Sequence, residues 1–228
     1  MTTLWIYGDS FAEDRSESWQ WHQQLAKAHN IAETKITAQA GVANDWISTQ
    51  IKDQHEQWQN GDRVLVIITQ PNRQWWFEDR PEMGNIGLMW GHPWARMMQM
   101  TDQHRVDAVG YYINYLQRDA VDYLRCEQMV AWIQQLAQQR SVELTVIPAF
   151  EMPVDLSKWC LGNLTDVCNW EFVDERSRVQ HYASIQDSRL NHLSLENHKW
   201  FVDKISQHWQ SGQPMDLTQG SLRHTISY

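Results

Sequence analysis

The chain has 228 residues, a length that predicts one compact domain rather than two. Hydrophobic residues make up 42% of it, which is enough for a sizeable core and excludes wholesale disorder. Lysine and arginine number 19 and aspartate and glutamate 28, so the formal charge is −9. A surface this acidic disfavours nucleic acids and anionic membranes as partners, because both reward clustered positive charge.

Three cysteines, Cys126, Cys160 and Cys168, are too few for a disulfide framework. The spacing of Cys160 and Cys168 permits a bridge, but free thiols in a reducing compartment are the expected state. No apolar run approaches the roughly 20 residues that a membrane helix needs. Residues 1–7 enter an apolar segment without a basic region or cleavage site, so we expect no signal peptide and a cytoplasmic location.

The first elements follow from apolar patterning and turn residues. Residues 4–7 are apolar and β-prone and predict a first strand, followed at once by the turn Gly8-Asp9-Ser10. Ser-Glu-Ser at 16–18 predicts the cap of a helix that runs to about residue 28 and stops near Asn30. Residues 34–38 alternate between polar and apolar and predict a short second strand.

A second helix and a buried strand come next. The turn at 41–43 places Asn44 as the cap of a helix that ends at Asn60-Gly61. Its apolar face carries three residues, Ile47, Ile51 and Trp58. Residues 64–68 form a continuous β-branched run, which is typical of a strand buried on both faces.

Two long segments, 70–107 and 156–186, lack any hydrophobic period and are predicted to be irregular insertions, either lids or dimer contacts. Between them, residues 108–139 predict a helix in one or two pieces, and residues 144–148 predict a fourth strand. The helix has three apolar residues on one face, Met129, Ile133 and Leu136. A last helix is predicted over 194–212, and the tail beyond it has no pattern.

The alternation of strand and helix predicts an α/β protein, a three-layer α/β/α arrangement around a central parallel sheet. We expect a single domain over 1–228, because there are no internal repeats and no linker. In such folds the ligand site lies outside the carboxyl ends of the strands. The loops after the first three strands carry the most unusual residues.

Two segments at opposite ends of the chain carry groups suited to acyl transfer. Ser10 follows the first predicted strand directly, so its hydroxyl would face the ligand crevice. His192 precedes Ser194, the predicted cap of the last helix, at the same edge of the sheet. Such a histidine can take a proton from a serine hydroxyl if a carboxylate fixes its tautomer, and Asp187 is the nearby choice.

Together these residues resemble the SGNH (GDSL-type) hydrolases, in a divergent branch similar to phage and marine-bacterial members. The resemblance rests on Gly8-Asp9-Ser10 with its strand, Gly41, Asn72 and the segment 187–192. It implies a flavodoxin-like SGNH fold with Ser10 as nucleophile and His192 as general base. It also implies an oxyanion hole formed by the backbone N–H groups of Ser10 and Gly41 and the side chain of Asn72.

The sequence departs from the family pattern in two places. The third block, residues 69–73, lacks its usual glycine, which makes Arg73 a candidate contact for a substrate anion. Arg189 stands where the family has aspartate, so either Asp187 or Asn191 orients His192. Asp9 is expected to bond its own turn. No phosphate-binding glycine motif follows a strand, and we expect neither a cofactor nor a metal.

The expected function is hydrolysis of a small ester through an acyl-enzyme on Ser10. The chain has 14 tryptophans, and three near the predicted crevice suggest a flat or carbohydrate substrate such as an O-acetylated sugar: Trp75, Trp76 and Trp90. Two alternatives stay open. The same site could transfer the acyl group to a sugar hydroxyl, or the fold could be a non-catalytic carbohydrate-binding module, for instance of a virion. The oligomeric state also stays open.

Overall fold

The computed structural model describes residues 2–14, 20–73, 111, 115–167, 170–172, 193, 195–219 and 224–226. Its helices and strands are, in chain order, β1 (Thr3–Gly8), α1 (Trp21–Ala28), β2 (Glu33–Ala38), α2 (Asn44–Gln54), β3 (Arg63–Ile68), α3 (Asp119–Arg140), β4 (Glu143–Pro148), β5 (Cys160–Leu161), α4 (Leu164–Val167), β6 (Trp170–Phe172), α5 (Leu195–Ser211), β7 (Met215–Asp216) and β8 (His224–Ile226). A 3-10 turn at His55–Gln57 follows α2.

The first four strands form one parallel sheet in the order β2-β1-β3-β4. This order matches the start of the flavodoxin-like arrangement, 2-1-3-4-5. The four strands lie in step, because Gly8 pairs with Ala38 and Ile68 pairs with Pro148. Their carboxyl ends therefore meet at one edge. The predicted α/β class with a central parallel sheet is confirmed.

The helices cover the two faces of this sheet in pairs, α1 with α5 and α2 with α3. Right-handed crossovers from β1 to β2 and from β2 to β3 run in opposite directions, so they place α1 and α2 on opposite faces. On the α1 side, the rings of Trp21 and Phe201 meet edge to face with centroids 5.2 Å apart. Both rings are fully buried, and such a contact adds about 1 kcal/mol beyond the burial of area.

The amino ends of the strands are closed by one buried carboxylate, Asp62, which is 3% exposed. Its oxygens accept hydrogen bonds from the backbone N–H groups of Thr3 and Gln59, at 2.9 and 3.0 Å, and from the indole of Trp5 at 3.0 Å. Three N–H donors compensate the desolvation of this carboxylate. The residues that start β1 and β3 are thereby fixed to each other.

The predicted starts of two helices need correction. The first helix begins at Trp21, with Gln20 as its cap residue, and not at 16–18. The second begins at Asn44 with Ala43 as its cap residue, so Asn44 does not act as a cap. Neither cap residue makes a side-chain cap hydrogen bond, and packing rather than local capping sets both starts.

Other predicted bounds are partly right. The second helix ends at Gln54, and Trp58 is buried after the 3-10 turn rather than on the helix itself. The predicted helix over 108–139 is confirmed from Asp119 as α3, and residue 111 is also helical, whereas 108–110 and 112–114 lie outside the described residues. The predicted irregular segment 156–186 contains β5, α4 and β6, and the tail contributes β7 and β8. These strands have two or three residues each and pair with one another, β5 with β7 and β6 with β8. Segments this short show no hydrophobic period in the sequence.

Two of the three predicted helix stops agree with the structure. Asn30 and Gly212, which follow α1 and α5, have φ values of 52° and 68°, in the left-handed region where helices end. Gly61, with a φ of 87°, lies in the turn before β3 and does not end the second helix, which stops at Gln54. Cys126 and Cys160 are free and buried, whereas Cys168 lies outside the described residues. Among the described residues, no helix has the length and apolar character needed to span a membrane. Most of the predicted insertion at 70–107 lies outside the described residues.

We predict that His22, in the first turn of α1, makes the free energy of unfolding depend on pH. Its side chain is 0% exposed, and burial lowers its pKa to about 4, against the opposing charge of Asp14. The unfolded chain binds this proton more readily, so stability falls as pH drops from about 6.5 toward 4, by about 3 kcal/mol in total. The measurement is chemical denaturation as a function of pH.

The variant for this test is His22→Phe, which keeps an aromatic ring against Trp21 but does not titrate. It should lose that part of the pH dependence. His55→Phe, at a half-buried histidine of the 3-10 turn, is the matched control and should keep the wild-type pH profile. An unchanged profile in His22→Phe would contradict the prediction.

Candidate functional site

The described members of the predicted site all lie at the carboxyl edge of the sheet. Ser10 follows β1, Gly41 follows β2, and Asn72 and Arg73 follow β3. The connection from β1 runs to β2 on one side, and the next connection crosses back to β3 on the other side, so this edge holds the topological switch point of the sheet. Parallel sheets bind ligands at this point.

The turn that holds Ser10 is built by Gly8 and Asp9. A Cβ atom on Gly8 would lie 2.9 Å from the Cβ of Ile67, so the close approach of β1 to β3 requires glycine there. Asp9 is fully buried, and its Oδ1 accepts the N–H of Phe11 at 3.1 Å. Its backbone oxygen accepts the N–H of Ala12 at 3.0 Å. Asp9 bonds its own turn, as predicted, and fixes the backbone on both sides of Ser10.

The second carboxylate oxygen of Asp9 forms an ion pair with Arg73. Its Oδ2 lies 3.3 Å from Nη1 of Arg73, and both side chains are buried, at 0% and 5% exposure. The guanidinium carbon lies 4.8 Å from the ring centre of Phe150, just after β4. Burial raises the pKa of Asp9 and lowers the pKa of Arg73, and each charge opposes the shift of the other. The pair links the loops after β1, β3 and β4.

This geometry bears on the prediction that Arg73 contacts a substrate anion. The guanidinium is already paired with Asp9, and its Nε also donates to Oε1 of Gln70 at 3.4 Å. An anion at Arg73 would have to compete with a buried carboxylate. In this structure Arg73 joins two loops of the site.

The side-chain amide of Asn44, which the sequence predicts to cap α2, instead makes a second link within the site. Nδ2 of Asn44 donates to the backbone oxygen of Thr69 at 2.9 Å, and Oδ1 accepts the N–H of Thr69 at 2.9 Å. The amide thus pairs with the backbone of Thr69 as a neighbouring strand would. It fixes the loop after β3 to the start of α2. A sequence pattern does not reveal this role, because the partner is 25 residues away.

Gly41 and Asn72 occupy the two loops on either side of Ser10. Gly41 has a φ of 77°, a conformation that favours glycine, and the N–H of Gln39 in the same loop donates to the oxygen of Gly8 at 3.3 Å. Asn72 is half-buried, and its Oδ1 has no hydrogen-bond partner among the described residues. A buried polar atom without a partner costs about 1–3 kcal/mol, which makes this amide a group that a ligand could satisfy.

The start of α5 is tied to the turn that holds Ser10. The backbone N–H of Trp21 donates to Nδ1 of His198 at 3.1 Å, and the indole N–H of Trp21 donates to the oxygen of Phe11 at 2.9 Å. Nδ2 of Asn197 donates to the oxygen of Val167 at 2.7 Å. These bonds hold the first turn of α5 at the carboxyl edge. No local sequence pattern indicates this role of His198, which is 8% exposed and bonds a residue 177 positions away.

The remaining predicted site residues lie outside the described residues: His192, Asp187, Asn191, Trp75 and Trp76. Their roles stay predictions. Within the described ranges, no group of three or more His, Cys, Asp or Glu side chains is placed to hold a metal ion.

We predict that removing one partner of the Asp9–Arg73 pair strongly destabilises the protein. Arg73→Met leaves the Asp9 carboxylate buried without its cation, and such a change lowers the free energy of unfolding by about 3–5 kcal/mol. The loss should shrink as pH falls, because burial favours the protonated form of Asp9. Chemical denaturation at several pH values measures both effects.

Two further variants make this test specific. The double variant Asp9→Asn with Arg73→Met removes both charges and should recover part of the loss. Lys35→Met breaks an exposed pair with Glu33, at 3.9 Å, and should cost less than about 1 kcal/mol. Equal losses in Arg73→Met and Lys35→Met would contradict the prediction.

Comparison with known proteins adds no relative to this picture. No family model, no curated protein and no solved structure is significantly similar to the chain. The resemblance to SGNH hydrolases therefore rests on its own residues, of which the structure describes Gly8, Asp9, Ser10, Gly41 and Asn72.

Proposed function

We propose that the chain is a serine ester hydrolase of the SGNH type, with Ser10 as its nucleophile. The observation that carries the proposal is the placement of Ser10 at the topological switch point, in a turn fixed by the fully buried Asp9. A nucleophile has to be held rigidly while its hydroxyl meets the substrate. The half-buried Ser10 meets both needs.

The turn also supports the proposed oxyanion hole. Asp9 accepts hydrogen bonds from the N–H groups of Phe11 and Ala12. In this proposal the N–H of Ser10 donates to the substrate oxygen. The loops of Gly41 and Asn72 flank that position from β2 and β3. Preorganised donors of this kind are worth about 3–4 kcal/mol each in transition-state stabilisation.

The general base of the proposal is His192, three positions before α5 in the sequence. Support comes from the first turn of α5, which His198 bonds to Trp21, and from the Trp21 indole, which bonds to Phe11 next to Ser10. The start of α5 is thus tied to the turn of the proposed nucleophile, and His192 stands only three positions before it in the sequence. Asp187 or Asn191 would hold the imidazole in the required tautomer.

The reaction follows from these roles. Ser10 Oγ attacks the ester carbonyl while His192 accepts the hydroxyl proton, and the oxyanion forms between the N–H donors. The tetrahedral intermediate expels the alcohol, which takes the proton from His192, and leaves an acyl-enzyme. Water then attacks the acyl group in the same way and releases the acid. A sugar hydroxyl in place of water would make the protein an acyltransferase.

We predict that Ser10→Ala lowers the hydrolysis of p-nitrophenyl acetate by about a thousandfold or more. The matched control is Ser211→Ala, which removes an exposed hydroxyl at the last residue of α5. That control should keep wild-type kcat/KM. The measurement is steady-state hydrolysis, with thermal melting to show that both variants fold.

A fluorophosphonate probe extends the test to a narrow pocket that rejects aryl acetates. Labelling of Ser10 in the wild type, lost in Ser10→Ala, supports the nucleophile even without turnover. Turnover that survives in Ser10→Ala contradicts it. A wild type that neither hydrolyses acetate nor reacts with the probe also contradicts it, and favours the non-catalytic binding module.

A further inference from the structure

A cavity of about 250 Å³, with both apolar and charged lining residues, lies beside the loop after β3, between the amino-terminal halves of α2 and α3. We call it the α2–α3 cavity. Its chemistry is set by six of its lining residues: Asp45, Ser48, Arg73, Asp122, Arg125 and Met129. The floor is buried, since Arg73, Asp122 and Met129 are 6%, 2% and 8% exposed, whereas Asp45 and Arg125 stand exposed at the rim. The cavity therefore has a closed end and an open mouth.

Arg73 connects this cavity to the proposed nucleophile. Its guanidinium lines the cavity and pairs with Asp9, the residue directly before Ser10. Asn44 also lines the cavity and holds Thr69 at the end of β3. A molecule in the cavity thus contacts the same groups that position the turn of Ser10.

The charges of the cavity select against most ligand classes. Two carboxylates, Asp45 and Asp122, line the cavity with two guanidinium groups that already have partners, since Arg73 pairs with Asp9 and Arg125 with Asp122. An anion would meet the carboxylates and a cation the guanidinium groups. An alkyl chain would match the apolar part of the lining, but it would desolvate the charged groups without replacing their hydrogen bonds.

A hydroxyl-rich ligand fits these groups, because each hydroxyl both donates and accepts. Carboxylate oxygens can accept from hydroxyls beyond their present bonds, such as the one from Gln117 Nε2 to Asp122 at 3.3 Å. Guanidinium N–H groups donate to hydroxyl oxygens, and Met129 offers an apolar surface to ring carbons. At about 30 Å³ per water, the volume holds roughly eight waters, the size of one six-membered sugar ring.

We propose that the α2–α3 cavity binds one neutral sugar ring, and that the ester cleaved at Ser10 is carried by that ring. The second clause rests on the proposed function, whereas the binding of the ring does not. The buried floor, whose charged groups are paired, and the link from Arg73 through Asp9 carry the proposal.

The test is binding of methyl hexopyranosides (the glucoside, galactoside and mannoside) measured by ligand-observed NMR titration. At least one should bind to the wild type at millimolar concentration. Ser48→Met places a longer side chain in the cavity and should weaken that binding by about tenfold or more. Thr49→Met is the matched control, because both hydroxyls donate to the carbonyl four residues earlier but only Ser48 lines the cavity. Thr49→Met should bind as the wild type does.

A second variant keeps the proposal testable if Ser48→Met does not fold. Arg125→Ala removes an exposed donor, 61% exposed and 3.6 Å from Asp122, and should also weaken hexoside binding by about tenfold. The proposal is overturned if no hexoside binds, or if Ser48→Met and Thr49→Met bind equally well. Displacement of a bound hexoside by inorganic phosphate or 1-butanol also overturns it.

The two proposals fail in different ways. A hexoside that binds in the cavity while Ser10 neither reacts with fluorophosphonate nor supports turnover would refute the hydrolase and leave the sugar site. A reactive Ser10 without hexoside binding would refute the sugar site and leave the hydrolase.

Discussion

The buried ion pair between Asp9 and Arg73 is the interaction on which the carboxyl edge of this protein depends. Two charges out of water are costly, and the cost is met only while the carboxylate keeps its 3.3 Å contact with the guanidinium and its backbone bond to Phe11. The pair joins loops from three strands, with Phe150 beneath the guanidinium. Any shift of one loop would separate the charges, so the loops hold each other in place around Ser10.

A buried aspartate lies at each end of the strands, and the two aspartates have different partners. At the amino edge, the carboxylate of Asp62 accepts three hydrogen bonds, two from backbone N–H groups and one from an indole N–H. At the carboxyl edge, Asp9 is balanced by a side chain, Arg73, that also lines a cavity. The same edge holds an amide oxygen of Asn72 without a partner among the described residues. Polar groups that the chain does not fully satisfy are thus found where parallel sheets bind ligands.

One consequence of this arrangement is that the cavity and the turn of Ser10 share a residue. Arg73 touches the α2–α3 cavity on one side and the turn of the proposed nucleophile on the other. A ligand that binds the guanidinium of Arg73 would alter the ion pair with Asp9. Because Asp9 directly precedes Ser10, the position of Ser10 would change as well. A polar ring that shares the donors of Arg73 without neutralising its charge disturbs the pair least.

The sequence by itself determined the α/β class, the four central strands and the placement of Ser10, Gly41 and Asn72 at one edge of the sheet. These features follow from local signals, namely β-branched runs such as 64–68 and turn residues such as Gly61 and Gly212. Only the tertiary structure decided the roles of Asp9 with Arg73, of Asn44 with Thr69 and of His198 with Trp21. Their partners stand 64, 25 and 177 residues apart. Contacts at such separations come from packing of the whole chain, which no local period or propensity encodes.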